Sequence, residues 1–295
     1  MDVHRLRILR EFADRGTVVA AAAALDMTPS AVSQQLKVLA REAGVELLEP
    51  DGRRVRLTDA GLALVARAES VLGELDRARA EMDRYRNTPT GVVRLTMFPS
   101  SAELLLPGVL RRVEGVAVQA TDLDLPGTEL PAMLADADIV VTHRDERAAP
   151  LGGPRIASRT LMREPIDLCV PTGHPLVERA RVEPGELGGL DWISVRDGFP
   201  VDDVLRSFST VTGVQPRITQ RINDFRSMQA LVAAGLGVAL MPRHAVTHPG
   251  VVALELAGVR AARILEVATR PGAPRRPAVA VVLAALDETV AALDA

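Results

Sequence analysis

Residues 28–40, TPSAVSQQLKVLA, establish how the first part of the chain folds. Thr28 is a good N-cap and Pro29 suits the first helical position, so a helix starts here. Val32, Leu36, Leu39 and Ala40 recur at i, i+4, i+7 and i+8 and make a face that packs on a core. Ser30, Ser33, Gln34 and Lys37 recur at i, i+3, i+4 and i+7 on another face. That second face holds small hydrogen-bonding groups and the only lysine of the chain, not the mixed charges of most surface helices. Serine and glutamine both donate and accept, and lysine neutralises a phosphate. A helix of this width fits the major groove of duplex DNA, where each base pair shows its own donor and acceptor pattern. Taken alone, the same pattern also suits an ordinary solvated helix, so its neighbours decide.

Upstream, Asp2 caps a first helix reaching about Ala13, with Leu6, Leu9 and Phe12 on one face. Gly16 ends it, and Thr17 caps VVAAAAALDM (18–27), whose alanines favour helix and let a neighbouring helix approach closely. A tight turn at Asp26-Met27 leads into the 28–40 helix, which makes the whole a helix-turn-helix. Downstream, DGRRVRLT (51–58) carries the Asp51-Gly52 hairpin signal with Arg53 and Arg54 at the tip and Arg56 alternating behind. Such a wing is placed to reach a phosphate or a minor groove. Thr58 then caps a long helix in which Leu64, Ala68, Val71, Leu75, Ala78, Met82 and Tyr85 alternate at spacings of four and three. This is the rhythm of a two-stranded seam and predicts pairing with a second copy; packing against the same chain is the alternative. NTPTG (87–91) breaks the helix and reads as a linker.

The totals exclude several classes. The chain has 295 residues, 47% hydrophobic, and a net charge of −3, enough for about two cores. No run of ~18 apolar residues spans a bilayer, and the start of the chain lacks a secretory signal, so a cytoplasmic location is expected and no membrane partner. Cys169 is the only cysteine, which leaves no internal disulfide. Aromatics are 2%, too few for base-stacking platforms. Residues 1–57 hold nine Lys/Arg against eight Asp/Glu, so the case for DNA rests on where groups sit, not on overall charge.

From Gly91 onward, short apolar runs alternate with helices. VVRLTMF (92–98), VAVQATDL (116–123) and ADIVVT (137–142) read as strands, with helices near 101–113 and 129–135. PIDLCVP (165–171), LDWISV (190–195), PRITQRI (216–222) and GVALMP (237–242) form a second set, with helices near 201–211 and 225–234. RILEVATR (263–270) returns to the first set and PAVAVVLAALDETVAALDA (277–295) closes the chain as a helix. The alternation argues for parallel α/β units, whose ligands sit beyond the carboxyl ends of strands against helix N-termini. Those edges carry Pro99, Ser100 and Ser101, then Thr142 and His143, and in the second set Arg196 and the pair Asn223 and Asp224. Ser100 and Asp224 are also natural helix caps, a role compatible with holding a ligand. Arg196 would pair with an anionic effector, unless the adjacent Asp197 neutralises it. Gly235-Leu236-Gly237 lacks the third glycine of a dinucleotide loop, and no cofactor is expected. His244 and His248 lack an acidic or cysteine partner nearby in sequence, so no metal site is assigned. No spacing supports a catalytic constellation, so no catalytic residue is assigned.

MDVHRLRILREFADRGTVVAAAAALDMTPSAVSQQLKVLAREAGVELLEPDGRRVRLTDAG resembles the N-terminal region of LysR-type transcriptional regulators. The length and later segments extend the similarity over nearly the whole chain. The resemblance implies an α+β multidomain protein: a winged helix-turn-helix at 1–57, a linker and dimerisation helix at 58–90, and an effector-binding domain at 91–295. That domain is similar to periplasmic binding proteins, with one α/β subdomain at about 91–162 plus 267–295 and another at about 163–266. Crossover strands are expected near Leu161–Glu164 and Glu266–Ala268. Duplex DNA would be held by Thr28, Pro29, Ser30, Ser33, Gln34, Lys37, Arg53 and Arg54. A small-molecule effector would lie between the subdomains, in a homodimer or homotetramer, with RNA polymerase as a further partner. Where the family has phenylalanine-arginine this chain has Leu48-Glu49, an acid beside the wing that weakens phosphate contact or shifts the base pairs tolerated. Two other classes fit the bare residue pattern: an architectural DNA binder without an effector, and an enzyme with a DNA-binding head.

Overall fold

The computed structural model describes residues 1–295 except Arg53, 85–90, 125–128, Pro154, Ala180, Val214 and 294–295. Arg53 of the wing, Tyr85 of the seam and most of the expected linker therefore lie outside the described residues.

Helix α1 (Val3–Arg15) begins where the Asp2 carboxylate accepts from the His4 amide. Thr17 then caps α2 (Val18–Ala24), its hydroxyl accepting from Ala20 N at 3.2 Å. Asp26 turns the chain with φ 51°, a left-handed conformation that aspartate tolerates better than most residues. Thr28 accepts from Ala31 N at 3.2 Å and opens α3 (Pro29–Ala43). Strands β1 (Leu48–Asp51) and β2 (Arg54–Leu57) pair antiparallel around Gly52, whose φ of 59° is the positive angle this tight hairpin needs. Helix α4 (Asp59–Arg84) follows, with Thr58 accepting from Gly61 N at 3.0 Å. Gly61 lies so close to the Leu47 carbonyl that a Cβ would sit 2.2 Å from its oxygen, so only glycine lets α4 leave the hairpin here. Val32, Leu36 and Leu39 pack with Leu6, Leu9, Phe12, Ala21, Ala22, Val65 and Ala68 in one core.

The remaining chain is a mixed α/β body. Its first part contains β3 (Val92–Met97), α5 (Pro99–Arg112), β4 (Ala117–Asp122), α6 (Leu130–Asp136) and β5 (Ile139–Asp145). The long β6 (Ala157–Pro171) leads to β7 (Arg181–Val182), β8 (Asp191–Ser194), α7 (Pro200–Thr212), β9 (Arg217–Arg221), α8 (Phe225–Ala233) and β10 (Val238–Pro242). The chain ends with β11 (Val251–Leu256), β12 (Ala262–Thr269) and α9 (Pro277–Ala291). Strand order is β4-β3-β5-β12-β6-β10-β8-β9, with β11 on β6 and β7 on β11.

The parallel units expected from the strand–helix alternation are β4-β3-β5 and β10-β8-β9. Between them β6 and β12 run antiparallel to their neighbours. Pairing along β6 changes from β12 to β10 between Pro165 and Ile166, and β12 pairs with β5 from Arg263 to Thr269. The segments Leu161–Glu164 and Glu266–Ala268 lie in these two strands. Strands β7 and β11 have no counterpart in the sequence reading. No α-helix separates β10 from β11, only a 3-10 turn, so the alternation that revealed the other strands is missing there. Two large cores, one under each parallel unit, bury Val93, Leu105 and Val282 on one side and Trp192, Val204 and Met228 on the other.

Charge fastens α1 to this body. The Asp14 side chain, 1% exposed, accepts from Arg155 at 2.6 Å and from Arg270 at 2.5 Å. Arg270 also bonds Glu69 of α4 at 2.6 Å and the Leu134 carbonyl at 3.0 Å. Arg15 reaches Asp136 of α6 at 2.6 Å. One arginine just past β12 thus touches α1, α4 and the end of α6 together.

Candidate nucleic-acid interface and ligand cavity

The polar face of α3 points outward. Thr28, Pro29, Ser30, Gln34 and Lys37 are exposed and Ser33 is half-buried, while Val32, Leu36 and Leu39 face the core. The serines and the glutamine are therefore free to meet a groove. Arg54 is exposed at the start of β2. Arg56 is not a free phosphate ligand: it forms an ion pair with Glu49, directly opposite in the hairpin register. The Leu48-Glu49 departure thus acts by occupying one of the wing's arginines.

On α4 the exposed apolar residues are Leu62, Val71 and Met82, the last 55% exposed. Val65, Ala68 and Leu72 are the buried stripe. The predicted seam therefore splits: Ala68 is buried and Leu64 partly buried against the chain's own core, whereas Val71, Ala78 and Met82 face outward.

A cavity of about 140 Å³ opens between the two parallel units of the body. Among the residues proposed from sequence, Pro99, Ser100, His143, Asn223 and Asp224 line it. Three do not. Ser101 is fully buried in the first turn of α5 and donates to the Phe98 carbonyl at 2.8 Å. Thr142 is buried on β5 and absent from the wall. Arg196 is exposed, its guanidinium 5.5 Å from the Phe199 ring centroid, and is also absent from the wall. Its backbone N–H donates to Asn223 Oδ1 at 2.7 Å, which orients that cavity residue. Asp197 does not neutralise Arg196; it pairs with Arg221 at 2.9 Å and Arg206 at 3.6 Å.

The central group is one the sequence reading missed. Arg263 of β12 lines the cavity with its side chain 1% exposed. Its Nε donates to Glu164 at 2.7 Å and its Nη2 to Ser100 Oγ at 3.0 Å. Its guanidinium carbon lies 4.8 Å from the Phe98 ring centroid and 5.8 Å from that of Phe225, so aromatic faces hold the cation. Glu164, equally buried, also meets His244 Nδ1 at 3.2 Å. Burial raises the Glu164 carboxyl, but Arg263 and His244 outweigh it and hold it below the usual range. The available signal was a pair of charged residues, Arg263 and Glu266, in a mostly apolar strand; a buried cation needs a partner and a purpose.

Asp124 meets His143 Nε2 at 3.3 Å, and Phe98 stacks on the imidazole at 4.3 Å between centroids. A carboxylate only accepts, so Nε2 carries the proton and Nδ1 is left as a lone pair. Burial pushes the His143 pKa down, against the opposing pull of Asp124, and keeps the ring neutral. Its Nδ1 is buried and has no hydrogen-bond partner among the described residues. Asp224 caps α8, accepting from Ser227 Oγ at 2.5 Å and Ser227 N at 2.9 Å, and these bonds depress its pKa. His248 serves its own turn, Nδ1 accepting from Gly250 N at 3.0 Å. Among the described residues no group of three or more His, Cys, Asp or Glu could hold a metal ion, and no helix is long and apolar enough to cross a membrane.

Comparison with known proteins agrees with this architecture. The family model for the LysR substrate binding domain matches residues 86–291, and that for the bacterial regulatory helix-turn-helix protein, lysR family, matches residues 3–62. The chain belongs to the LysR family. It is a DNA-binding transcriptional regulator with an effector-binding domain, and not an enzyme. It is 28% identical to the transcriptional dual regulator GltC of Bacillus subtilis, over 82% of this chain and 81% of that one. It is 33% identical to a probable hydrogen peroxide-inducible genes activator of Streptomyces viridosporus, over 77% and 72%. Full-length OxyR from Pseudomonas aeruginosa, solved as a cysteine-to-aspartate variant, shares the fold with a TM-score of 0.71 at 21% identity, covering 97% of this chain and 94% of that one. Full-length CbnR complexed with its target DNA shares it with a TM-score of 0.55 at 23% identity, covering 98% and 100%.

Proposed function

We propose that this regulator reads its operator with α3 in the major groove and the wing alongside, and that a small molecule in the body cavity sets how strongly it does so. In this reading Ser30, Ser33 and Gln34 contact base edges, while Thr28, Pro29, Lys37, Arg53 and Arg54 serve the backbone. The outward residues of α4 pair two chains as a homodimer, or two such dimers as a homotetramer, so half-sites repeat at about one helical turn or a multiple of it. The division of labour is 1–57 for DNA, 58–90 for pairing and 91–295 for the effector. Within the last, 91–162 with 267–295 faces 163–266. The protein works in the cytoplasm, with RNA polymerase as the partner that reads out its position.

The observation carrying the effector reading is the cavity itself: a buried arginine, a neutral histidine with an unmet nitrogen and three phenylalanines at the junction of both units. Several relatives are named as hydrogen peroxide-inducible activators. An intrachain disulfide is no route for this chain, whose one cysteine, Cys169, is buried in β6 with its thiol pKa pushed up by burial. The input here is noncovalent binding. Footprinting on genomic DNA fragments, with and without a metabolite extract, tests the whole reading. Protected sites with dyad symmetry whose occupancy changes with the extract are expected. Uniform, sequence-indifferent protection would overturn it in favour of an architectural binder.

A further inference from the structure

The polar groups of the cavity have two unlike poles. At one, Arg263 spends Nε on Glu164 and Nη2 on Ser100, while its Nη1 has no hydrogen bond among the described residues. Ser100 Oγ accepts from Arg263, so its own hydroxyl hydrogen remains to be given. This pole donates. At the other pole stand carboxylates. Glu103 is paired with Arg226, and Glu164 with Arg263. No salt bridge among the described residues joins Asp124 or Asp224 to an arginine or lysine; Asp124 meets the His143 ring and Asp224 meets Ser227. The wall also holds the phenylalanine rings of Phe98, Phe199 and Phe225.

Each simpler ligand fails one pole. A plain carboxylate satisfies Arg263 and Ser100 but brings negative charge to Asp124 and Asp224. A plain amine suits Asp124 but leaves the guanidinium edge unanswered and adds a cation beside it. Stranding a buried polar group costs about 1–3 kcal/mol. We propose that the effector is a small apolar α-amino acid, its carboxylate on Arg263 and Ser100 and its ammonium on Asp124, with the side chain against the phenylalanines. Size agrees: a cavity of ~150 Å³ takes a benzene-sized molecule, and this one is about 140 Å³. A ligand of that size keeps its two charged groups close together, not at the ends of a long chain. The inference rests on reading this cavity as the effector site.

The test is calorimetry and thermal shift on the full chain with three probes on one carbon frame: L-valine, isovalerate, which lacks the amine, and isobutylamine, which lacks the carboxylate. L-Valine is expected to bind at least tenfold more tightly than either analogue. Asp124→Asn should erase its advantage over isovalerate, and Ala245→Phe, which fills the cavity, should abolish binding of all three. Unliganded operator binding checks that both variants fold. If isovalerate or isobutylamine matches L-valine in the native protein and is lost in Ala245→Phe, the amino-acid proposal falls while the cavity remains the effector site. The same holds if L-valine keeps its full advantage in Asp124→Asn. If no probe binds, or if binding survives Ala245→Phe, the amino-acid proposal falls, and in the second case the reading of the cavity falls with it.

Discussion

At the scale of single residues, two kinds of side chain govern behaviour. On α3 Ser30 and Gln34 are exposed and Ser33 is half-buried, all outside the core, so truncating them should leave the fold alone and, in the proposed reading, alter recognition. Ser33→Ala with Gln34→Ala should cut the preference for operator over mismatched DNA by about 1–3 kcal/mol per lost base contact, read from competition binding. Arg54→Ala should instead weaken binding to all sequences alike and lower the salt slope by about one. Unchanged site preference in the double variant would remove α3 from the groove. In the cavity, burial holds His143 neutral and its folded pKa lies below the ordinary 6.5. The unfolded chain then takes up a proton that the folded one resists. Stability from this group is present above pH 6.5 and is lost as pH falls through and below it. Denaturant unfolding at about pH 7.5 and about pH 5.5 should show a drop that is smaller in His143→Gln than in the native chain.

At the scale of elements, α4 carries two apolar faces. Val65, Ala68 and Leu72 tie it to its own chain, while Val71 and Met82 remain 42% and 55% exposed. A heptad pattern reports that a helix has an apolar stripe but does not say whose surface covers it. Here the first turns are covered from within and the later ones face away. Val71→Asp with Met82→Asp should shift the protein to a monomer in sedimentation velocity without loss of helix content by circular dichroism. An unchanged mass distribution in that variant would remove the outward face of α4 as the proposed pairing surface. The hairpin offers a related case: Glu49 opposite Arg56 removes one wing cation, so Glu49→Ala should raise non-specific DNA affinity and its salt dependence.

At the scale of the whole molecule, β12 joins the two tasks. Arg263, near its start, lines the cavity, and Arg270, just past its end, holds Asp14 of α1 and Glu69 of α4. Every residue between is buried, so the strand is a stiff connection between the cavity and helices α1 and α4. Arg270→Ala removes the ion-pair partner of buried Glu69 and leaves Asp14 with Arg155 alone, and should cost about 3 kcal/mol in denaturant unfolding, since breaking a buried pair exposes its full desolvation penalty. Arg15→Ala should cost less, about 1 kcal/mol, because Asp136 is 70% exposed and Glu11, its other partner, keeps Arg10 at 3.8 Å. Equal losses in the two variants would show that the Asp14 cluster is no special fastening.

The helix-turn-helix, the hairpin and most strands of the body were legible in the sequence because they rest on local rules: caps, a turn glycine, and the period of apolar residues. Thr28 opens its helix whatever the rest of the chain does. So were Pro99, Ser100, His143, Asn223 and Asp224, because strand ends beside helix N-termini meet in folds of this kind. Arg263, Glu164, Asp124 and the Asp14–Arg270 cluster were not, since their partners lie 99, 19 and 256 residues away in sequence. The solvent exposure of Arg196 was equally illegible. Short-range sterics and periodicity, written in the chain, dictate which elements form and which faces are apolar. Which charges end up buried together is set by the folded whole, because desolvation and pairing depend on neighbours that folding alone brings near.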